Sequence, residues 1–521
     1  MKRHGRRFSA VALLVAAMLV LAACGAGGKV GAGGAGPEGA PVAGGTLKVL
    51  EFSEPRTLDP AALQNTGQGT ALLGNALYGT LMIDNQQTGE VEYRMATDFS
   101  STDGGKTFTL ELKDGLKFSD GSTLDAAAVK FNWDRLKDPT LGSDSQPVAG
   151  LVKSSTVVDP TTLTVTLGQP SPYFAQQMLG SAMNWIASPA ALQKGTNAFD
   201  QNPIGAGPFT LQSWTRSGSI QLVKNPGYWD APRPYLDNIT ITTSADAQQR
   251  VNALTTGQVD LGTEVDWQAA AKDKAAGLQI VTRPFGGGQF LALNTLRAPF
   301  DDVRARQALS YAIDLDALNA AVYSGYGEVA NQLFPAGSKF HNDVALHTYD
   351  KAKAQQLFDQ LAAEGKPVSF TFTAFPKDRA VAEAVQAQLS AFQNVKVQVK
   401  SADTAESGKI FGAHDFDVLV ATAFFIDPEP ALYSAFSSQS PRNATGINDP
   451  RLDQALLAGR TGTSTDQRKA AYQTVSERLA ATVPVIFYAR PAQAAVASSK
   501  VGGVSMYGTG SVLPELLWLA K

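Results

Sequence analysis

From Thr107 to Leu112 the chain reads TFTLEL, with Phe108, Leu110 and Leu112 apolar and Thr109 and Glu111 polar between them. A period of two predicts a half-buried strand, and Asp103-Gly104-Gly105 just before it is hairpin chemistry. The run GGTLKVLEF (44–52) predicts a first strand, and GQGTALLGNALYGTLMI (67–83) a helix ending near Gly79. Asp125 is placed to cap a helix over AAAVKFNWDRL, and DAQQRVNALTTGQVDLG starts as a helix that stops near Gly257. The stretch DDVRARQALSYAIDLDALNAAVY (301–323) predicts one long helix with Asp301 and Asp302 at its positive end. YDKAKAQQLFDQLAAEG predicts another, ended by Gly365. After Gly286, strand patterns (GGGQFLALN, VSFTFTAF, VKVQVKSA, FDVLVATAFF, PVIFYAR) alternate with helical ones, which favours an α/β lobe. No fixed-period repeat appears.

The N-terminus follows a different logic. Lys2, Arg3, Arg6 and Arg7 precede an apolar run from Val11 to Ala23. That run is shorter than the roughly 20 residues a spanning helix needs, so residues 1–23 read as a signal peptide. Leu21, Ala22 and Ala23 then lead into Cys24, the chain's single cysteine. This resembles the bacterial lipoprotein box, which implies cleavage before Cys24 and lipid on its sulfur. Residues 24–43 are dominated by Gly, Ala and Pro and read as a flexible tether. Gly31–Gly36 matches G-x-G-x-x-G by letter alone, since no strand precedes it and no helix follows.

The 521 residues carry a formal charge of −3, or about −7 without the four basic signal residues, and are long enough for about three domains. No basic stripe argues for nucleic acid, and no second long apolar run argues for a membrane span. One cysteine leaves the fold without disulfides, so a large core must hold it. No catalytic constellation is visible. His4 leaves with the signal, and His341, His347 and His414 lack helical metal spacing. Gly105-Lys106-Thr107 is not a phosphate loop, because Ser100 stands where the first glycine belongs. The chain reads as no enzyme, and no cofactor is expected.

Several segments, in order, resemble the peptide- and nickel-type extracellular solute-binding proteins that feed ATP-driven importers. They are FTLELKDGLKFSDGSTLDAAAVKFNWDRLKDP, PIGAGPFTL with LVKNPGYWD, LALNTLRAPFDDVRARQALSYAID, YDKAKAQQLF, NDPRLDQALLAGRTGTSTDQRKAAYQTVSERLA and VPVIFYAR. The resemblance implies an α/β, two-lobed periplasmic-binding-protein-like fold with a hinge and an extra domain on lobe one. Lobe one would hold residues 44–79, 204–283 and 490–521, the extra domain 80–203, and lobe two 284–489. The hinge would pass through RPFGGGQ and FYARP, letting the lobes close over ligand.

By position in these motifs, one cleft wall would be Asn65, Thr66 and Gly67, and the other Thr422 to Asp427, including Ala423, Phe424 and Phe425. Tyr488 would close the pocket from the hinge side. Phe424 and Phe425 are equally readable as core, since neighbours on a strand face opposite ways. One departure stands out. Peptide binders of this kind often carry Trp, then Asp, shortly before an acidic-Pro pair, and that Asp holds the ligand's α-amino group. Ile426 stands there, and Asp427 is one position on. Either the backbone bulges and Asp427 serves, or the ligand lacks that ammonium group. Leu315 also replaces a frequent arginine. The expected role is capture of a di- or oligopeptide, with a metal chelate, glycoside or opine-like molecule, or a peptide-sensing role, as alternatives. The expected partners are a membrane permease and its ATPase, and the expected state is a monomer held outside the membrane by lipid on Cys24. Replacing Cys24 with Ala should move the protein from the membrane fraction to the medium with ligand binding intact. Membrane retention of Cys24→Ala, with no lipid on the parent protein, contradicts the anchor.

Overall fold

The structure, a computed structural model, describes residues 36–86 and 88–521. The signal segment, Cys24 and most of the tether lie outside the described residues.

Local sequence rules account for most elements. The first strand runs Thr46–Glu51, and the Thr107–Leu112 strand buries Phe108, Leu110 and Leu112 as its alternation predicts. Asp125 accepts a hydrogen bond from Ala128 N at 2.9 Å and starts the helix Ala126–Arg135. The helix Ala71–Tyr78 stops at Gly79, whose φ of +64° suits a residue without Cβ. The long helix expected over 301–323 is two helices, Val303–Ala312 and Leu315–Tyr323. Ile313 and Asp314 are extended, and the Asp314 carboxylate accepts from Asp316 N and Ala317 N, both at 3.0 Å. That second cap competes with helix continuation and wins.

Two main sheets carry the two lobes. The seven-stranded sheet runs Gln279–Thr282, Ala494–Ala497, Leu261–Glu264, Thr46–Glu51, Asn238–Thr243, Ile220–Lys224 and Phe209–Trp214. The five-stranded sheet runs Val395–Ser401, Val368–Ala374, Val418–Phe425, Gly286–Leu293 and Val485–Ala489. A four-stranded antiparallel sheet, from Ala96–Ser100 to Val152–Val157, shares one continuous core with the seven-stranded sheet. In the five-stranded sheet, Leu291 and Leu293 enter one core and Phe290 and Ala292 another, so helices cover both faces. The chain passes between the two main sheets at residues 283–285 and 490–493.

Glycine is needed where the first crossing enters the second sheet. A Cβ on Gly287 (φ +67°) would sit 1.9 Å from Ala423 O, and one on Gly288 (φ +150°) 2.3 Å from Ala489 O. The strand is squeezed between both neighbours at that point.

Near the second crossing, lobe one buries three ionisable side chains. Arg250 grips Glu264 through Nε and Nη2 at 3.1 and 2.7 Å, while Asp273 is fully buried and neither of its carboxylate oxygens has a hydrogen-bond partner. Burial, reinforced by the charge of Glu264, pushes the Asp273 carboxyl up to about 7. Unfolded, it titrates near 4. Between those values the unfolded chain ionises and the folded one does not, so stability from this group falls as pH rises from about 4 to about 7. Asp273→Asn should match the parent at pH 4 and exceed it by about 2–4 kcal/mol at pH 8 in urea denaturation. An equal difference at both pH values would contradict a buried, protonated Asp273.

Candidate functional site

Each crossing carries a buried arginine that ties it to one lobe. Arg283 binds Asp84 (2.9 and 2.5 Å) and Gly508 O (3.0 Å). Arg490 donates to Gly287 O (2.5 Å) and Gln332 O (2.6 Å). Trp267 Nε1 reaches Arg490 O from lobe one at 3.0 Å. The crossings are therefore anchored at their ends, and the cleft lies in front of them.

On the lobe-one side, the Asn65 side chain is fully engaged. Its amide nitrogen donates to Leu179 O and Ser181 O, and its oxygen accepts from Tyr507 OH and Ser511 Oγ. Gly67 N donates to Thr509 O at 3.1 Å, and its Cα packs on Gly510. Thr66 is half-buried, and its carbonyl accepts from Gly69 N. This stretch therefore backs the turn Gly508–Thr509, which itself lines a cavity between the lobes. The motif reading reached Asn65–Gly67 and not the turn in front of them, because the contact joins residues over 440 positions apart.

On the lobe-two side, Val418–Phe425 pairs with Gly286–Leu293 in unbroken register over all eight residues, so no bulge re-aims its end. Its other edge pairs with Val368–Ala374 only at Val418 and Leu419. From Val420 onward that edge leaves the ladder and borders a cavity of about 540 Å³ lined by Thr422, Ala423, Phe424, Phe375, Lys377 and Arg442, among others. Phe424 is half-buried, edge-on to Phe285, and Phe425 is buried against Phe334 in the core. The two phenylalanines thus divide between cleft and core, as neighbours on a strand must.

Asp427 lies past the strand end and is taken. Arg468 binds it through both guanidinium nitrogens, at 2.7 and 2.5 Å, and Glu429 N donates to the same carboxylate at 3.1 Å. Arg468 also donates to Gly459 O and Tyr472 OH and is 1 % exposed. The face of its guanidinium lies 3.6 Å from the ring centre of Tyr173, which comes from the extra domain. A cation held by lobe two is thus covered by an aromatic ring from across the cleft. Tyr488 is buried in the lobe-two core, its hydroxyl donating to Gln289 Oε1 at 2.8 Å beside that of Tyr323 at 3.1 Å. Nothing in the sequence marks Tyr173, just before the short helix Phe174–Met178, or Arg468, in the first turn of Thr465–Thr482, until the fold pairs them.

No group of three or more potential metal ligands occurs among the described residues. No helix among them is long and apolar enough to cross a membrane.

Comparison with known proteins gives one consistent result. The profile of bacterial extracellular solute-binding proteins, family 5 (middle region), matches residues 90–443. The glutathione-binding protein GsiB of Escherichia coli (strain K12) is 30% identical over 356 residues, 67% of this chain and 68% of GsiB. The periplasmic murein tripeptide binding protein MppA, solved in an unliganded open form, superposes with a TM-score of 0.78 at 22% identity, covering 93% of this chain and 99% of MppA. HbpA2 from Haemophilus parasuis gives 0.79 at 23% identity, covering 92% and 100%. The α/β fold with two lobes, a hinge and an extra domain is therefore the one these proteins share, and the chain belongs to family 5 of the bacterial extracellular solute-binding proteins.

Proposed function

We propose that this protein captures a short peptide in the cleft between its lobes and hands it to a membrane permease driven by a partner ATPase, while lipid on Cys24 holds it at the membrane. The observation that carries the ligand class is the free edge of the Val418–Phe425 strand. Beyond Leu419 its backbone leaves the ladder beside a cavity of ligand size. An extended peptide can add to such an edge and pair its own N–H and C=O groups there. Affinity then comes from main chain, with Phe424 as an apolar wall and Lys377 and Arg442 supplying positive charge for a carboxylate. Asn65, Thr66 and Gly67 act by placing the opposite turn, and Tyr488 by holding Gln289 on the neighbouring strand. GsiB and MppA, named for glutathione and a murein tripeptide, support a peptide-like ligand.

One observation favours a second reading, a non-peptide ligand for the same importer. Ile426 cannot bind an ammonium group, and the Asp427 carboxylate is already filled by Arg468 and Glu429 N. The α-amino contact expected of peptide binders then has no acceptor at either position.

Trialanine and its analogue methylated on the central nitrogen separate the two readings. Backbone pairing predicts binding of trialanine by calorimetry and about tenfold weaker binding of the analogue, the worth of one lost hydrogen bond plus the methyl clash. Absence of trialanine binding, with a co-purifying non-peptide mass in native mass spectrometry, would favour the second reading. The Tyr173–Arg468 stack should act as the clasp of the closed form. Tyr173→Ala is expected to weaken ligand binding about 3- to 10-fold through faster release, and Tyr173→Phe to stay within about twofold of the parent. Equal release rates for Tyr173→Ala and the parent in stopped-flow would remove the clasp.

A further inference from the structure

A second cavity, of about 220 Å³, lies where the lobes meet. It is lined from lobe two by Phe424 and Glu429, from the extra domain by Gln176 and Gln177, and from lobe one by Thr509. Three carboxylates border it, and two are filled. Asp84 holds Arg283 and Gly508 N, and Asp427 holds Arg468. Glu429 differs. It is 4 % exposed, and neither carboxylate oxygen has a hydrogen-bond partner. Gln176 and Gln177 each bury an Oε1 that is also without a partner, and Gln177 directs its amide nitrogen away, to Ser171 Oγ at 2.9 Å. Among the described residues lining this cavity, every buried side-chain atom lacking a partner is a carboxyl or carboxamide oxygen, and they come from both sides of the cleft. Buried oxygens without partners, on residues that border one space from two sides, call for a ligand that brings donors.

We infer that this cavity receives a donor-rich cationic group of the ligand, an alkylammonium or guanidinium, with Glu429 as its counter-ion and Gln176 and Gln177 as neutral acceptors. The inference rests on the reading of the cleft as a ligand site and adds the ligand's charge. Its size fits the end of a lysine or arginine side chain rather than a whole peptide. The groups around Glu429 leave the role open to a ligand. Arg460 Nε stands 3.7 Å from Oε2, beyond hydrogen-bond reach, and its guanidinium lies over the Tyr433 ring. Arg468 is committed to Asp427, whose own negative charge faces Glu429. Burial is the main cause that pushes the Glu429 carboxyl up to about 8, so the empty site holds a proton at neutral pH. A cation entering the cavity displaces that proton to solvent. Both lobes contribute acceptors, so the group is fully gripped only when the lobes meet, which couples its recognition to closure.

The test compares Ala-Xaa-Ala tripeptides, with Xaa arginine, lysine, citrulline or norleucine, on the parent protein, Glu429→Gln and Gln177→Leu, with agmatine as a cation lacking any peptide bond. The arginine and lysine peptides should bind the parent about 10- to 100-fold tighter than the citrulline and norleucine ones, the range of a charge-assisted hydrogen bond. Glu429→Gln should erase that preference, Gln177→Leu should reduce it, and neither should lower the melting temperature of the free protein. Calorimetry in two buffers of different ionisation heat should show net proton release at pH 7 with the parent only. Peptide binding without charge preference, or a preference that survives Glu429→Gln, overturns the inference and leaves the peptide reading standing. If no peptide binds, the peptide reading falls, and agmatine decides the inference. Binding to the parent but not to Glu429→Gln upholds it, and no binding to the parent overturns it.

Discussion

The constraint on which the rest depends is that only two covalent crossings join the main sheets, at residues 283–285 and 490–493. Each lobe has its own core, so closing the cleft does not require either to repack. The arginines at the crossings explain how short links stay defined. Arg283 is locked to Asp84 in lobe one, and Arg490 to three backbone carbonyls in lobe two. Rotation is confined to the residues between those anchors. The glycines at 287 and 288 then let the chain enter the second sheet at once, where any side chain would strike a carbonyl of a neighbouring strand.

Charge around the cleft follows from burial. A carboxylate enclosed by two lobes must be paired or neutral, because an isolated buried charge costs several kcal/mol. Asp84 and Asp427 meet this by pairing with arginines of their own lobes, Arg283 and Arg468. Those pairs therefore survive opening, and the cleft walls keep their shape between ligands. The Arg468 guanidinium is the exception in one respect, since the nearest ring over it, Tyr173 at 3.6 Å, comes from the other side, while Phe340 and Tyr472 flank it from lobe two. It is the point where an arrangement internal to lobe two becomes part of the contact between lobes. The Asp427 carboxylate, one position past Ile426, is thus occupied by Arg468 and Glu429 N.

How much of this was legible in the sequence depends on the distance over which each feature is decided. Asp125, the alternation through Leu112 and the stop at Gly79 are settled within a few residues, and the chain displays them. The break at Ile313 was readable in principle, since Asp314 followed by Asp316 is capping chemistry. The helical period on both sides concealed it. The filling of Asp427 was not readable, because Arg468 lies 41 positions away and only the fold brings the two together. For the same reason the engagement of Asn65 was not readable, since the partners of its side chain lie 114 and 446 positions away. Family motifs transmit where the chain goes. Which atoms remain free at the end depends on pairings that no short window contains.

The contacts that join the lobes outside the crossings include the Tyr173–Arg468 stack and a hydrogen bond from Gln268 to Val322 O at 3.2 Å. Among the described residues, the cross-cleft stack of Tyr173 on Arg468 is of a kind worth roughly 0.5–2 kcal/mol. A contact of that size shifts a two-state equilibrium by about 2- to 30-fold and cannot by itself hold the lobes shut for long. Closure must then draw on groups that are satisfied only when something lies between the lobes. The free strand edge beyond Leu419 and the unpartnered oxygens of Gln176, Gln177 and Glu429 are such groups. They cost free energy when enclosed and empty, and they recover it when a ligand supplies donors. A clasp strong enough to close the empty protein would make closure independent of ligand. A weak clasp beside unsatisfied oxygens makes closure depend on what occupies the cleft.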